Sequence, residues 1–276
     1  MRAFVPSHIT GFFAARPKDE PLLSGSIGCG LNLVLGAETT VKPSDEMVIK
    51  LNGEVSDAPV SRYVVERLAK SPVEISTRLD MPLGAGFGAS GAGALGAVYS
   101  LNAYFDLGLT TSQAGAVAHC ADVVNRTGLG DVIAQNTGGL VIRLEPGAPG
   151  IGALDRIPVP PLEVNYVVKG PISTCTVLSD EKVMKDINTA GELALKELLA
   201  RPTLEEFMRL SRRFTGQIGI ASDWALDAIE AVDAAGGMAS MVMLGDAVFA
   251  FGGAEALAEF GEVGRTRISQ VGAIID

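Results

Sequence analysis

Three stretches of the chain group residues that could do chemistry, and the first has types and spacing that suit phosphate binding. The first is Pro82-Leu83-Gly84-Ala85-Gly86-Phe87-Gly88-Ala89-Ser90-Gly91, inside the uncharged run Met81–Phe105. Gly84, Gly86 and Gly88 alternate, which lets a backbone visit positive φ and come close to a partner. From Ser90 the alanines, Leu95, Val98, Tyr99 and Leu101 read as a helix. A glycine loop feeding a helix start aims free N–H groups and the positive end of the helix dipole outward, which suits an anion. The competing reading is a Gly/Ala helix packed tightly in the core. Two familiar phosphate loops do not match: no lysine follows these glycines as GxxxxGK[ST] requires, and GxGxG is not the dinucleotide pattern GxGxxG.

The second stretch is a helix capped by Thr110-Thr111-Ser112 and running to about Arg126, with Gly128 placed as its left-handed terminator. On it His119 and Asp122 share a face, and Arg126 follows Asp122 at i+4. A surface ion pair accounts for Asp122 and Arg126, and a structural role for His119, as simply as chemistry does. The third stretch is Thr127-Gly128-Leu129-Gly130-Asp131, followed by Gly138-Gly139 and a strand Leu140–Leu144 that carries Arg143. An aspartate straight after a glycine turn reads equally as a helix cap.

The first stretch resembles the PxxxGLGSSAA signature of the GHMP kinases, the family of galactokinase, homoserine kinase and mevalonate kinase. Phe87 stands for the usual Leu, and Ala89-Ser90 for the usual Ser-Ser. The family also has a first motif near the N-terminus, matched by Ser7-His8-Ile9-Thr10-Gly11, and a glycine-containing third motif, matched in degenerate form by Ala234–Ser240. The resemblance implies an α+β, two-domain GHMP kinase fold: an N-terminal domain like the second domain of ribosomal protein S5, a ferredoxin-like C-terminal domain, and the active site between them. It implies ATP on the loop Pro82–Gly91, Mg²⁺ held by Ser90 and Asp122, and Asp131 as base or electrostatic aid to the substrate hydroxyl, with Ser90 assisting.

Within that family, the segments SHITGFF, GAGFGASGAGALGAVYSLN and AHCADVVNRTGLGDVIAQNTGGLVIRL are most similar to the archaeal pantoate kinases. These transfer phosphate from ATP to the 4-hydroxyl of (R)-pantoate on the route to coenzyme A. A small carboxylate substrate needs donors. Arg143 offers a bidentate fork and His119 a further N–H, while Ser26 and Thr174 can meet the carboxylate or the 2-hydroxyl. Ser24 competes with Ser26. Kinases of mevalonate, homoserine or shikimate fit the same phosphate loop, and a non-catalytic, ligand-sensing relative is the reading from another class.

The elements that must position these residues follow from the rest of the chain. Its 276 residues are 47% hydrophobic with net charge −10, which suits a globular protein and argues against nonspecific nucleic-acid binding. Cys29, Cys120 and Cys175 are scattered, as in a reducing cytosol, and form no zinc motif. The uncharged run is Gly/Ala-rich with Ser90, Ser100 and Asn102, so no membrane span is expected, nor a signal peptide in MRAFVPSHITGFF. A cytoplasmic enzyme follows; nothing separates a monomer from a homodimer.

Ala3–Val5 reads as a short strand, Ser7–Gly11 as a polar turn, and Ser24–Gly30 as a Gly/Ser loop before a strand near Leu31–Leu35. Val41–Leu51 reads as a strand with Asn52-Gly53 turning it. A short helix spans Val60–Lys70, and the strand Val73–Leu79 delivers the chain to the loop. The Gly/Pro run Pro146–Gly150 marks the boundary between an N-terminal domain, 1–150, and a C-terminal domain, 151–276. Beyond it come a strand Val164–Val168, helices over 180–200, 203–216 and 222–235, a hairpin around Gly245-Asp246, a helix near 254–260 and a strand near 267–274.

Overall fold

A computed structural model describes residues 1–172 and 180–276. Two antiparallel strands dominate the first half, β1 (Arg2–Arg16) and β2 (Gly25–Pro43). They pair along their length and shift register between Pro6 and Ser7 and between Thr10 and Phe12. The polar stretch Ser7–Gly11 is therefore interior strand and not a turn, and β2 begins at Gly25, where a loop was expected. Ser7 and His8 are fully buried. Buried polar neighbours such as Ser7 and His8, on opposite faces of one strand, look by composition alone like a turn.

The expected strand Val41–Leu51 is broken at Pro43, which has no N–H to extend a ladder. The chain resumes as β3 (Val48–Leu51) and turns through Asn52 and Gly53, both at positive φ, into β4 (Glu54–Val55). Helix α1 (Pro59–Leu68) leads to β5 (Val73–Leu79), which pairs with β2 and runs parallel to β3. Helix α2 (Ala89–Phe105) follows, then α3 (Thr111–Val124), the short α4 (Asp131–Gln135) and β6 (Leu140–Arg143).

Every residue of α2 from Gly91 to Leu101 is buried, the condition of a helix apolar on all sides. Small residues let it lie close to the sheet: a Cβ on Gly96 would fall 2.4 Å from Thr39 Oγ1. Helix α3 starts at the cap expected from Thr110-Thr111-Ser112: Thr110 is the cap, in a capping box closed by Gln113. It ends at Val124, two residues short of the expected end, and the positive φ falls on Arg126 rather than on Gly128.

In the second half, β8 (Glu163–Pro171) is followed by α5 (Glu181–Ala200), α6 (Leu204–Ile218) and α7 (Asp223–Ala234). Then come β9 (Met238–Met241), β10 (Gly245–Phe251), α8 (Ala254–Leu257) and β11 (Gly264–Arg267). These strands form an antiparallel sheet in the order β11-β8-β10-β9. Numbered by sequence within the sheet that order is 4-1-3-2, the ferredoxin-like arrangement.

The two sheets do not divide the chain at residue 150. β7 (Leu154–Ile157) pairs with β6, and β12 (Ile274–Ile275) returns to pair with β1. β1 also joins the halves by packing: Phe12 and Phe13 meet Phe214 of α6, and Phe12 also meets Phe207. Helix α5 seats its Ile187, Ala190, Gly191, Ala194, Leu195 and Leu198 inward at helical spacing. A Cβ on Gly191 would lie 1.9 Å from Phe13 O. Gly191→Ala is expected to lift α5 off β1 and cost about 1–3 kcal/mol, read as a lower denaturation midpoint. An unchanged midpoint would mean that the helix shifts freely.

Candidate active site

The glycine loop lies between β5 and α2, where strand, loop and helix order put it. Gly84, Gly86 and Gly88 have φ of 71°, 81° and 68°, so the alternation seen in the sequence is an alternation of left-handed residues. Ala92 N–H is the first to close a helical bond, onto Gly88 O at 3.0 Å. The preceding N–H groups of Ala89, Ser90 and Gly91 begin the helix without such a partner. Leu83, Gly84, Gly86, Phe87, Gly88, Ala89 and Ser90 line a cleft of about 610 Å³.

Ala85 and Gly91 are buried behind that lining, and Pro82 stands outside it. Phe87 is anchored edge-on against Tyr166 of β8, ring centroids 5.1 Å apart. The second half also meets the loop at the end of β8, where Ile172 N–H donates to Gly84 O at 3.3 Å, and through Val242–Gly245. A Cβ on Gly86 would come 2.4 Å from Met243 O, and one on Gly245 2.0 Å from Ala85 O. Met243 and Leu244 line the cleft, whereas Gly237 packs on Val232 and Gly252. The stretch Ala234–Ser240, matched to the third motif in sequence, thus sits behind the residues that reach the loop.

Asp122 is 1% exposed. Its Oδ1 accepts from Ser90 Oγ at 2.8 Å and from Thr127 Oγ1 at 2.5 Å. The surface pair with Arg126 does not form; Arg126 turns to the cleft rim instead. Gly128 is needed for a reason other than helix termination: a Cβ there would lie 2.2 Å from Asp122 Oδ2. Burial first, and then the neighbouring Asp131, push the Asp122 carboxyl up to about 6. Ser90 and Thr127 line the cleft, so Asp122 acts on it from one layer back.

Asp131 is the first residue of α4, but the cap position is Gly130, with no side-chain cap bond. Asp131 Oδ1 instead lies 2.7 Å from His8 Nδ1. His8 Nε2 lies 3.5 Å from Nη1 of Arg143, which is 1% exposed. Burial pushes His8 below its ordinary value, more than the bond to Asp131 raises it. A neutral ring satisfies both neighbours: Nδ1–H donates to Asp131, and the Nε2 lone pair faces the guanidinium. The other oxygen, Asp131 Oδ2, has no hydrogen bond among the described residues, and the side chain is 25% exposed toward the cleft.

Arg143 Nε is buried and without a partner among the described residues. A Cβ on Gly130 would fall 2.3 Å from Ser26 Oγ and 2.9 Å from Arg143 Nε. Ser26 and Arg143 therefore converge where only glycine leaves room. The two serines differ in place: Ser24 Oγ bonds Lys18 N and O, while Ser26 lines the cleft.

His119 lies one layer back from the cleft. It does not line the cleft, and its Nε2 lies 2.9 Å from Ser24 O, holding the chain just before β2 carries Ser26 in. Thr174 lies outside the described residues. Sequence reasoning missed His8 as the partner of Asp131, and with it Thr127 and Gln135. The available signal was a polar Ser7-His8 set among Phe4, Val5, Ile9, Phe12 and Phe13.

One end of the cleft is thus polar and holds Ser26, Gly130, Asp131 and Arg143; the other is walled by Leu51, Pro59, Val60, Leu79 and Leu83. The family described as "GHMP kinases N terminal domain" matches residues 58–139, the stretch from α1 to the end of the Asp131 segment. A pantoate kinase of Thermococcus kodakarensis is 38% identical over 265 residues, covering 91% of this chain and 87% of its own. The chain belongs to the GHMP kinase family, in the branch of the pantoate kinases. A pantoate kinase of Methanospirillum hungatei is 33% identical over 99% of this chain and 95% of its own length. A solved structure titled "Phosphotransferase related to CoA biosynthesis pathway" superposes with a TM-score of 0.89 at 33% identity, covering 99% of this GHMP kinase and 97% of that chain. The two-domain GHMP kinase fold expected from the sequence is the one observed. No helix among the described residues is long and apolar enough to cross a membrane.

Proposed function

We propose that the protein is a cytosolic kinase that transfers the γ-phosphoryl group of ATP to the 4-hydroxyl of (R)-pantoate, toward coenzyme A. The observation that carries the substrate is the buried Arg143, whose unpartnered Nε converges with Ser26 Oγ beside Gly130. A buried guanidinium is costly unless an anion meets it, and a carboxylate matches its fork. Asp131 Oδ2 stands on the same wall to receive the substrate hydroxyl.

The nucleotide phosphates fit the left-handed glycines and the start of α2, with Arg126 at the rim as the second cationic side chain of the described lining. Magnesium suits the oxygen donors here: the Ser90 hydroxyl faces the cleft, with the Asp122 carboxyl behind it. When bound it would neutralise triphosphate charge. This chain's own work is positioning. Arg143 and Ser26 fix the carboxylate, His8 locks one Asp131 oxygen, and the other oxygen orients the attacking hydroxyl and takes its proton late.

A coupled ADP-release assay with pantoate, mevalonate, homoserine and shikimate tests the reading. ADP release with pantoate well above the others is expected, and equal or absent release with pantoate would reject it. The metal role has its own test. Asp122→Asn keeps an acceptor for Ser90 and Thr127 but removes the charge. It is expected to raise the Mg²⁺ concentration for half-maximal activity by about tenfold or more. An unchanged magnesium titration would leave Asp122 as a purely structural acid.

A further inference from the structure

We propose that Gln135 is a positioning residue that keeps the nucleotide loop in register with Asp131; the inference rests on a nucleotide lying along that loop. Gln135 is fully buried and closes α4, the helix that Asp131 opens. Four residues apart, the two side chains share a face. Gln135 Nε2–H donates to Gly88 O at 2.9 Å. Gly88 is the left-handed residue from which α2 begins.

The loop–helix junction fits against that face with no room to spare. A Cβ on Gly88 would be 2.9 Å from Gln135 Nε2 and 3.4 Å from Asp131 Cγ. One on Gly91 would be 2.8 Å from Gln135 Oε1 and 3.5 Å from Asp131 Cβ. From the other side, His8 N–H donates to Phe87 O at 3.1 Å while its ring bonds Asp131. The last two carbonyls of the loop, of Phe87 and Gly88, are thus held by the group that bonds Asp131 and by the group that shares its helix.

Core packing alone does not explain an amide here. Gln135 Oε1 is buried with no partner among the described residues, and an apolar side chain of the same length would avoid that penalty. What the amide adds is one directed bond to the loop. In-line transfer is sensitive to the relative placement of phosphoryl group and hydroxyl, and this bond sets the placement through four residues of helix.

The test uses Gln135→Met, which keeps length and loses the donor, and Gln135→Glu, which keeps shape and loses the donor as a carboxylate. For the folded Met variant the melting temperature should match or exceed wild type. Its dissociation constant for Mg·ATP by calorimetry should rise about tenfold, and kcat with pantoate should fall by a similar factor. The KM for pantoate should stay within about twofold, because Ser26 and Arg143 are not held by Gln135. Gln135→Glu should show the same losses at a pH where the carboxyl is ionised and smaller ones at lower pH, because the neutral acid favoured by burial beside Asp131 can donate its O–H to Gly88 O. A purely structural glutamine would lower the melting temperature and leave ATP binding and kcat per folded molecule at wild-type values; that result in either variant overturns the proposal, as does loss of the fold in both. A wild-type protein that binds ATP but ignores pantoate sinks the substrate reading and leaves the ATP-binding arm decisive. One that binds no ATP sinks both.

Discussion

Asp131→Asn is expected to fold as wild type and to bind ATP and pantoate, yet to lose about 10²- to 10⁴-fold in kcat. The amide is nearly isosteric, and its carbonyl oxygen can still accept from His8 Nδ1–H. The 2.7 Å contact that holds the side chain is thereby kept. What changes is the second atom. Oδ2, which has no hydrogen bond among the described residues, becomes an NH₂ that donates where the substrate hydroxyl must donate. The attacking oxygen then loses both its orienting acceptor and the group that takes its proton. If phosphoryl transfer is loose, the proton leaves late, and the loss will sit at the lower end of the range; a tighter transfer puts it at the upper end. A kcat within twofold of wild type would return Asp131 to a structural role. A helix-cap role is already excluded, because the cap position is Gly130 and the Asp131 carboxylate faces His8.

His8 also shows why the site was only partly legible. The phosphate loop could be read because its signal is local: three alternating glycines permit the positive φ angles that other residues resist, and all three adopt them. Asp131 and Ser90 were singled out through family resemblance, and Arg143 through the donor a carboxylate needs; all three line the one cleft. The His8–Asp131 pair spans 123 residues and depends on the register of β1 against β2, which no local pattern records. Asp122 and Arg126 show the reverse error. Helical spacing makes them an ion pair only if α3 continues to residue 126, and it stops at Val124. Past that point the backbone turns Arg126 to the cleft, while Ser90, from another helix, and Thr127 supply the partners of Asp122. The fold was legible where hydrophobic periodicity was clean, as in α5, α6 and α7. It was misread in β1 and β2, where Ser7, His8 and Ser26 are buried polar residues inside long strands.

Arg143→Lys is the variant expected to separate recognition of the substrate from recognition of the nucleotide. An exposed strand on which Arg143 pairs with Glu145 would let lysine substitute freely. The structure removes that option: all four residues of β6 are buried, and Arg143 is 1% exposed. Lysine keeps a charge at best, but it presents one point where the guanidinium presents a fork, and burial drives an ammonium toward neutrality. Losing a charge-assisted hydrogen bond costs roughly 1.5–3 kcal/mol, so kcat/KM for pantoate should fall about ten- to a hundredfold. The KM for ATP should hold within about twofold, because the loop Gly84–Ser90 touches Arg143 only through the shared cleft. His8 supplies an internal control. Its Nε2 faces Arg143 at 3.5 Å, so a lysine that fails to reach it frees the ring without breaking the bond from Nδ1 to Asp131. The loss should therefore appear in the KM for pantoate more than in kcat. An equal loss for ATP and pantoate would mean that the substitution has disturbed the cleft as a whole. A wild-type KM for pantoate would mean that the carboxylate is held elsewhere, and the buried arginine would then be an electrostatic partner of Asp131 alone.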